Sequence, residues 1–110
     1  MVCSHSNDRC WGGNYLFFLL MSKQVLIKIY GQVQGISFRY QACLKAQKLD
    51  IKGYAQNQDD GSLEILAQGE EDKLKEMIDW AKVGPQYAKV EKIKTIWQEV
   101  DSKFDDFEIK

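Results

Sequence analysis

The spacing of apolar residues along this chain changes several times, and each change marks an element. In Gln24–Tyr30 (QVLIKIY), Val25, Ile27 and Ile29 occupy alternate positions, and a β-branched run of this kind predicts a strand with one face inward. From Phe38 to Leu49 the period lengthens. Phe38, Ala42, Ala46 and Leu49 recur at three- and four-residue steps, as a helical turn of about 3.6 residues requires. Ile51–Asn57 alternates again, with Ile51, Gly53 and Ala55 on one side. Asp59-Asp60-Gly61 then predicts a tight hairpin turn, because glycine reaches positive φ without a steric penalty. Ser62–Gln68 (SLEILAQ) is its partner strand, with Leu63, Ile65 and Ala67 inward.

A second helix is predicted from about Glu70 to Val83. Glu70, Glu71 and Asp72 complement its N-terminal dipole, Leu74, Met77, Ile78 and Ala81 form a buried stripe with Trp80 at its margin, and Gly84-Pro85 stops it. Val90–Trp97 predicts a fourth strand, where the spacing of Val90 and Ile93 breaks strict alternation and allows a bulge. Phe104 and Phe107–Ile109 predict a short last strand or a closing flap.

The order strand, helix, strand, strand, helix, strand is the split βαβ pattern of the ferredoxin-like sandwich. The expected fold class is therefore α+β: an antiparallel four- to five-stranded sheet with two helices on one face. The hairpin must set strands two and three side by side, and the right-handed crossover rule leaves few topologies for the rest. Fold alone leaves function open, because enzymes, RNA binders and metal carriers share this architecture.

Residues 1–21 differ in character from the rest of the chain. Met1–Asn14 is polar and aperiodic, and Tyr15–Met21 reads YLFFLLM. That run is far shorter than the ~20 residues of a membrane span, and no small-residue cleavage site comes after it. The stretch SKQVLIKIYG after Met21 resembles the start of a small soluble protein. Residues 1–21 are accordingly expected to be a disordered leader or upstream extension, and 22–110 the domain.

Composition narrows the function. With 110 residues, 45% of them hydrophobic, and a single proline, the chain fits one domain with a real core. A formal net charge of −1 argues against a nucleic-acid binder, which needs a positive excess, but leaves room for a local anion site. The three cysteines, Cys3, Cys10 and Cys43, form no disulfide framework by count or spacing and point to a reducing cytoplasm. Cys3, His5, Asp8 and Cys10 match no zinc spacing, so no metal is expected. Neither a membrane nor a nucleic-acid partner is expected, and the protein is expected to act as a monomer.

Two segments carry candidate chemistry. Gly31–Arg39 (GQVQGISFR) joins strand one to helix one. Its glycines let the backbone turn so that N–H groups converge at a helix N-terminus, a ready anion site. Arg39 falls in the first helical turn, where the dipole disfavours a cation; an anion held between them removes the conflict, and a guanidinium can grip phosphate through two parallel hydrogen bonds. A solvated surface arginine is the plainer alternative. No glycine–lysine–Ser/Thr ending and no GxGxxG fingerprint is present. In the second segment, Gly53–Glu64 (GYAQNQDDGSLE), Asn57 is either a turn residue or an amide that holds a water. Asp59 and Asp60 are accounted for by the turn. The chain's histidine, His5, lies in the leader, and Cys43 has no histidine partner, so a histidine base and a thiol mechanism are both disfavoured. Catalysis would then fall to Arg, Asn and backbone N–H groups, which suits a substrate with a good leaving group and an anionic handle.

GQVQGISFR resembles the acylphosphatase signature G-x-V-x-G-V-x-F-R, with Ile36 for the usual valine. Asn57, Asp60 and Gly61 resemble the companion motif, and Gly84-Pro85…Ala88…Val90 resembles the family's link from helix two to strand four. The likeness spans about residues 23–110. It implies hydrolysis of the carboxyl–phosphate bond of acyl phosphates to a carboxylate and inorganic phosphate, without metal or organic cofactor. It also implies that Arg39 binds the phosphoryl group together with the cradle Gln34, Gly35, Ile36, Ser37 and Phe38, and that Asn57 orients the attacking water. Tyr54 and Gln56 depart from the family's frequent Trp and basic residue, and the leader has no counterpart.

Two other classes compete. Lys52-Gly53-Tyr54-Ala55 matches the opening of an RNA-recognition motif, but Gln56, Asn57 and Asp59 stand where stacking and aliphatic residues belong. A weakly catalytic regulatory domain, of the kind built into larger carbamoyl-transferring enzymes, is the other. The short chain without zinc-finger cysteines favours a free-standing enzyme.

Overall fold

The computed structural model describes residues 23–35, 37–100 and 103–110. Its elements are β1 (Lys23–Gln32), α1 (Phe38–Lys48), β2 (Lys52–Asn57), β3 (Leu63–Gly69), α2 (Glu71–Val83), β4 (Lys89–Gln98) and β5 (Phe107–Ile109). The strands form one sheet in the order β4-β1-β3-β2-β5. The expected leader falls outside the described residues. Among these residues, no helix is long and apolar enough to cross a membrane.

The inward residues are those the alternation marks. Val25, Ile27 and Ile29 of β1, Ala55 of β2, and Leu63, Ile65 and Ala67 of β3 are fully buried under the helices. Phe38, Ala42, Cys43 and Ala46 of α1 and Leu74, Met77 and Ala81 of α2 close over them. Small residues on α1 let that helix lie close to the sheet, and the larger ones on α2 fill the remaining space. Each large aliphatic side chain buried here contributes about 1.5–3 kcal/mol, so truncating Ile65 to Ala would cost about 2–5 kcal/mol.

β1 pairs antiparallel with β3 and β4, and β2 pairs antiparallel with β3, with Asn57 opposite Leu63 at the hairpin end. The sheet has the expected four antiparallel strands, and the fifth makes it mixed. β5 pairs in parallel with β2, Gly53 opposite Phe107 and Ala55 opposite Ile109, because the chain leaves β4 at one edge and re-enters at the other.

The bulge lies where β1 meets β4. Tyr30 pairs with Lys92 and Gly31 with Val90, so Glu91 is the extra residue. Gly31 has φ 131°, and a Cβ there would stand 2.1 Å from the carbonyl oxygen of Lys89. Only glycine fits so close to another backbone. Gly31 therefore serves the sheet and not the loop beyond it.

On the other face a row of amides ties four segments together. Gln68 Nε2 donates to Gln24 Oε1 at 2.7 Å, and Gln24 Nε2 donates to Gln98 Oε1 at 2.6 Å. The Phe104 N–H donates to Gln68 Oε1 at 3.1 Å. Gln68 is fully buried, so these partners remove the cost of burying an amide. The row anchors the approach of the chain to β5.

Candidate active site

Residues 33–37 connect β1 to α1. Val33 and Phe38 are buried and pin the two ends of the loop; the Phe38 ring meets Trp80 edge-on at 5.3 Å. Between them, Gly35 (φ 76°) and Ser37 (φ 65°) take left-handed conformations. Left-handed residues in a short loop turn successive N–H groups into one concavity. For Ser37 that conformation costs about 1–2 kcal/mol. Ser37 occupies the N-cap position, yet its side chain makes no capping bond. The first helical bond runs from the Gln41 N–H to Ser37 O at 2.9 Å. The N–H groups of Phe38, Arg39 and Tyr40 are thus left without intrahelical acceptors, and they carry the positive end of the helix dipole.

These groups border a recess of about 220 Å³, lined by Val33, Gly35, Ser37, Phe38, Arg39, Tyr40, Asn57 and Ile109. None of the lining residues is acidic, and Arg39 brings a full positive charge, so the recess favours a small anion. The Arg39 guanidinium donates through Nη1 to the main-chain oxygen of Lys110 at 2.6 Å. This bond holds the head group over the recess and leaves its other N–H donors for a ligand.

Asn57 enters from the opposite side as the last residue of β2. Its Oδ1 is buried and has no hydrogen-bond partner among the described residues. Leaving such an acceptor unpaired costs about 1–3 kcal/mol, which a water or ligand in the recess would recover.

Of the residues singled out in the sequence, Gly35, Ser37, Phe38, Arg39 and Asn57 meet in this recess. Ile36 lies outside the described residues. Gln34 is not among the lining residues: its side-chain Nε2 donates to Gln58 O at 2.8 Å and to Ser62 O at 2.9 Å. Its main-chain N–H alone remains for a ligand. Sequence reasoning missed Tyr40, Val33 and Ile109 as walls. Tyr40 directly follows the signature arginine, and Ile109 belongs to the segment expected to be a short last strand or a closing flap, so adjacency was the available signal.

The other candidates stand apart from the recess. Asp60 Oδ1 accepts from Ser62 Oγ at 2.6 Å and from the Ser62 N–H at 2.9 Å, and these bonds hold its carboxyl below the ordinary value of 3.8. It is engaged in the turn. Tyr54 donates to Glu64 Oε2 at 2.9 Å, and burial, then that bond, pushes its hydroxyl up to about 12. Cys43 is buried within α1 and does not line the recess. Among the described residues, no group of His, Cys, Asp and Glu could hold a metal. A larger hollow of about 590 Å³ lies along α1 beside Lys45, Gln47 and Trp80, and it includes no residue of either motif.

Comparison with known proteins fits this geometry. The acylphosphatase family model matches residues 25–109. The chain is 42% identical over 89 residues to the acylphosphatase of Caldanaerobacter subterraneus subsp. tengcongensis, covering 81% of this chain and 99% of that one. It is 43% identical over 84 residues to the acylphosphatase of Aliivibrio fischeri, covering 74% and 93%. The crystal structure of acylphosphatase from Bacillus subtilis superimposes with a TM-score of 0.77 at 34% identity, over 80% of this chain and 98% of that one. The chain belongs to the acylphosphatase family, hydrolases that act on acyl phosphates.

Proposed function

We propose that the recess hydrolyses acyl phosphates with Arg39 and the loop N–H groups as the phosphoryl cradle and Asn57 as the residue that aims the water. The observation that carries this reading is the buried, unpaired Oδ1 of Asn57, in the same small recess as a guanidinium and a helix N-terminus.

The substrate's phosphoryl oxygens take the place of solvent against the N–H groups of the Gln34–Arg39 segment and the free donors of Arg39. A water donates one hydrogen bond to Asn57 Oδ1, which turns its lone pair towards phosphorus. As the water oxygen bonds to phosphorus, the P–O bond to the acyl group breaks and the carboxylate departs with the electron pair. One water proton passes to a phosphoryl oxygen, so the products are a carboxylate and inorganic phosphate. A carboxylate leaves without protonation, so the site requires no general acid. Phosphoryl transfer depends mainly on positioning and on charge stabilisation, which an arginine, an amide and aligned N–H dipoles supply.

Hydrolysis in ¹⁸O-labelled water tests the direction of attack. The label is expected in inorganic phosphate; label in the carboxylate would mean attack at the carbonyl carbon and would overturn the role given to Asn57.

A further inference from the structure

The side chain of Gln34 has a task that the phosphoryl cradle does not account for. Gln34 Nε2 donates to two carbonyl oxygens, of Gln58 at 2.8 Å and of Ser62 at 2.9 Å. Those residues face each other where the β2–β3 hairpin closes: the Gln58 N–H donates to Ser62 O at 2.9 Å. Inside that pair the Gly61 N–H donates to Gln58 O at 3.1 Å, and Asp60 takes both donors of Ser62. The turn is therefore complete without Gln34. Both carbonyls already accept a bond within it, so the amide adds little to hairpin formation.

What the amide does is join two bodies. Gln34 lies in the loop of residues 33–37, outside any strand or helix, and the next residue, Gly35, lines the recess. On the other side, Gln58 directly follows Asn57. A planar group with both protons engaged thus holds the loop under the phosphoryl group against the strand end that carries Asn57.

We infer that Gln34 is a positioning residue that sets the spacing between the phosphoryl cradle and the Asn57 amide, and so the line of attack of the water. The inference rests on the role proposed for Asn57. Its physical basis is that a misplacement of about 1 Å between reacting groups can cost about 10² in rate while leaving ground-state binding nearly intact.

The test compares Gln34→Met, which keeps length and removes both donors, in the parent and in an Asn57→Ala background. Turnover of acetyl phosphate and affinity for inorganic phosphate are measured for each. In the parent, Gln34→Met is expected to lower kcat by about 10- to 100-fold and to change phosphate affinity by less than about threefold. In the Asn57→Ala background the same change should lower kcat by less than about threefold, because the effect passes through Asn57. Equal losses in both backgrounds, an unchanged kcat, or phosphate affinity falling in step with kcat would each overturn the inference. Failure of the Asn57 reading looks different: Asn57→Ala alone would then retain parental kcat. The unsubstituted chain provides a second measurement that does not depend on the variant folding. Scalar couplings across hydrogen bonds should link Gln34 Nε2 to the carbonyl carbons of both Gln58 and Ser62 and persist with phosphate bound; loss of both on phosphate binding would also overturn it.

Discussion

Arg39 is held by the backbone of Lys110: its Nη1 donates to the Lys110 main-chain oxygen at 2.6 Å. The pairing leaves part of the planar fork for an anion and fixes where that part points. Arg39→Ala is therefore expected to weaken binding of inorganic phosphate and to lower kcat together, since in the proposed role the charge faces the phosphoryl group before and during reaction. Arg39→Lys should restore little of either, because an ammonium cannot span Lys110 and a phosphoryl oxygen with a fixed fork. Calorimetry with phosphate beside steady-state rates checks both; parental phosphate affinity in Arg39→Ala would sink the assignment.

Asn57 should separate these two quantities. In the role proposed for it, its amide faces the attacking water and not the anion, so Asn57→Ala is expected to lower kcat by about 10²–10³ with phosphate affinity close to that of the parent. Removing the buried, unpaired Oδ1 should also leave thermal stability unchanged or slightly raised. A variant with near-parental kcat would contradict the role.

The charge in the recess comes from a side chain and from peptide dipoles. Treatment with EDTA is accordingly expected to leave kcat/KM unchanged. Inorganic phosphate should raise the apparent KM without lowering kcat, because product and substrate compete for one cradle. Activity lost to EDTA and restored by a single metal ion would require another mechanism.

The turn after Asn57 should respond to acid. Asp60 has its carboxyl lowered from 3.8, first by Ser62 Oγ and then by the Ser62 N–H. A carboxyl lowered on folding stabilises the folded state above its unfolded value and loses that contribution as pH falls through the folded one. Asp60→Asn should therefore lower Tm at neutral pH, and the gap to the parent should close as pH falls below 3.8. Thermal melts across pH decide this; a gap that does not change with pH would assign the effect to turn geometry alone.

Gly31 offers a test of the sheet. With φ 131° and a neighbouring oxygen 2.1 Å from where a Cβ would stand, Gly31→Ala must push β1 and β4 apart at the bulge. A loss of about 2–4 kcal/mol in unfolding free energy is expected, measurable by denaturant titration. A loss below about 1 kcal/mol would mean that the edge strand relaxes freely.

Burial and reach decide which of these features a sequence can reveal. Val25, Ile27 and Ile29, or Leu74 and Met77, announce themselves because burial imposes a period on neighbouring residues. Arg39 and Asn57 were legible because their residue types sit in a recognisable spacing. The direction of β5 was not, since three residues carry no period that distinguishes parallel from antiparallel pairing. Gln34 was read through its main chain, as part of a loop, because nothing local to GQVQG reveals that its amide reaches residues 58 and 62. Gly31 and Gly35 look alike in sequence; one accommodates an adjacent strand and the other shapes the recess, and only the tertiary contact separates them.

The short strand β5 has a consequence for solubility. A sheet edge left open invites another chain to add to it. On the β4 side the exposed Lys89, Glu91, Lys92 and Lys94 and the bulge at Glu91 make that edge a poor template. On the other side β5 covers the backbone of β2: the Gly53 N–H donates to Asp106 O at 3.1 Å and the Lys110 N–H to Ala55 O at 2.9 Å. The segment that steadies Arg39 thus also covers the longer strand β2. Lesions that detach it should leave the protein both slow and sticky, and loss of turnover and loss of solubility should appear together.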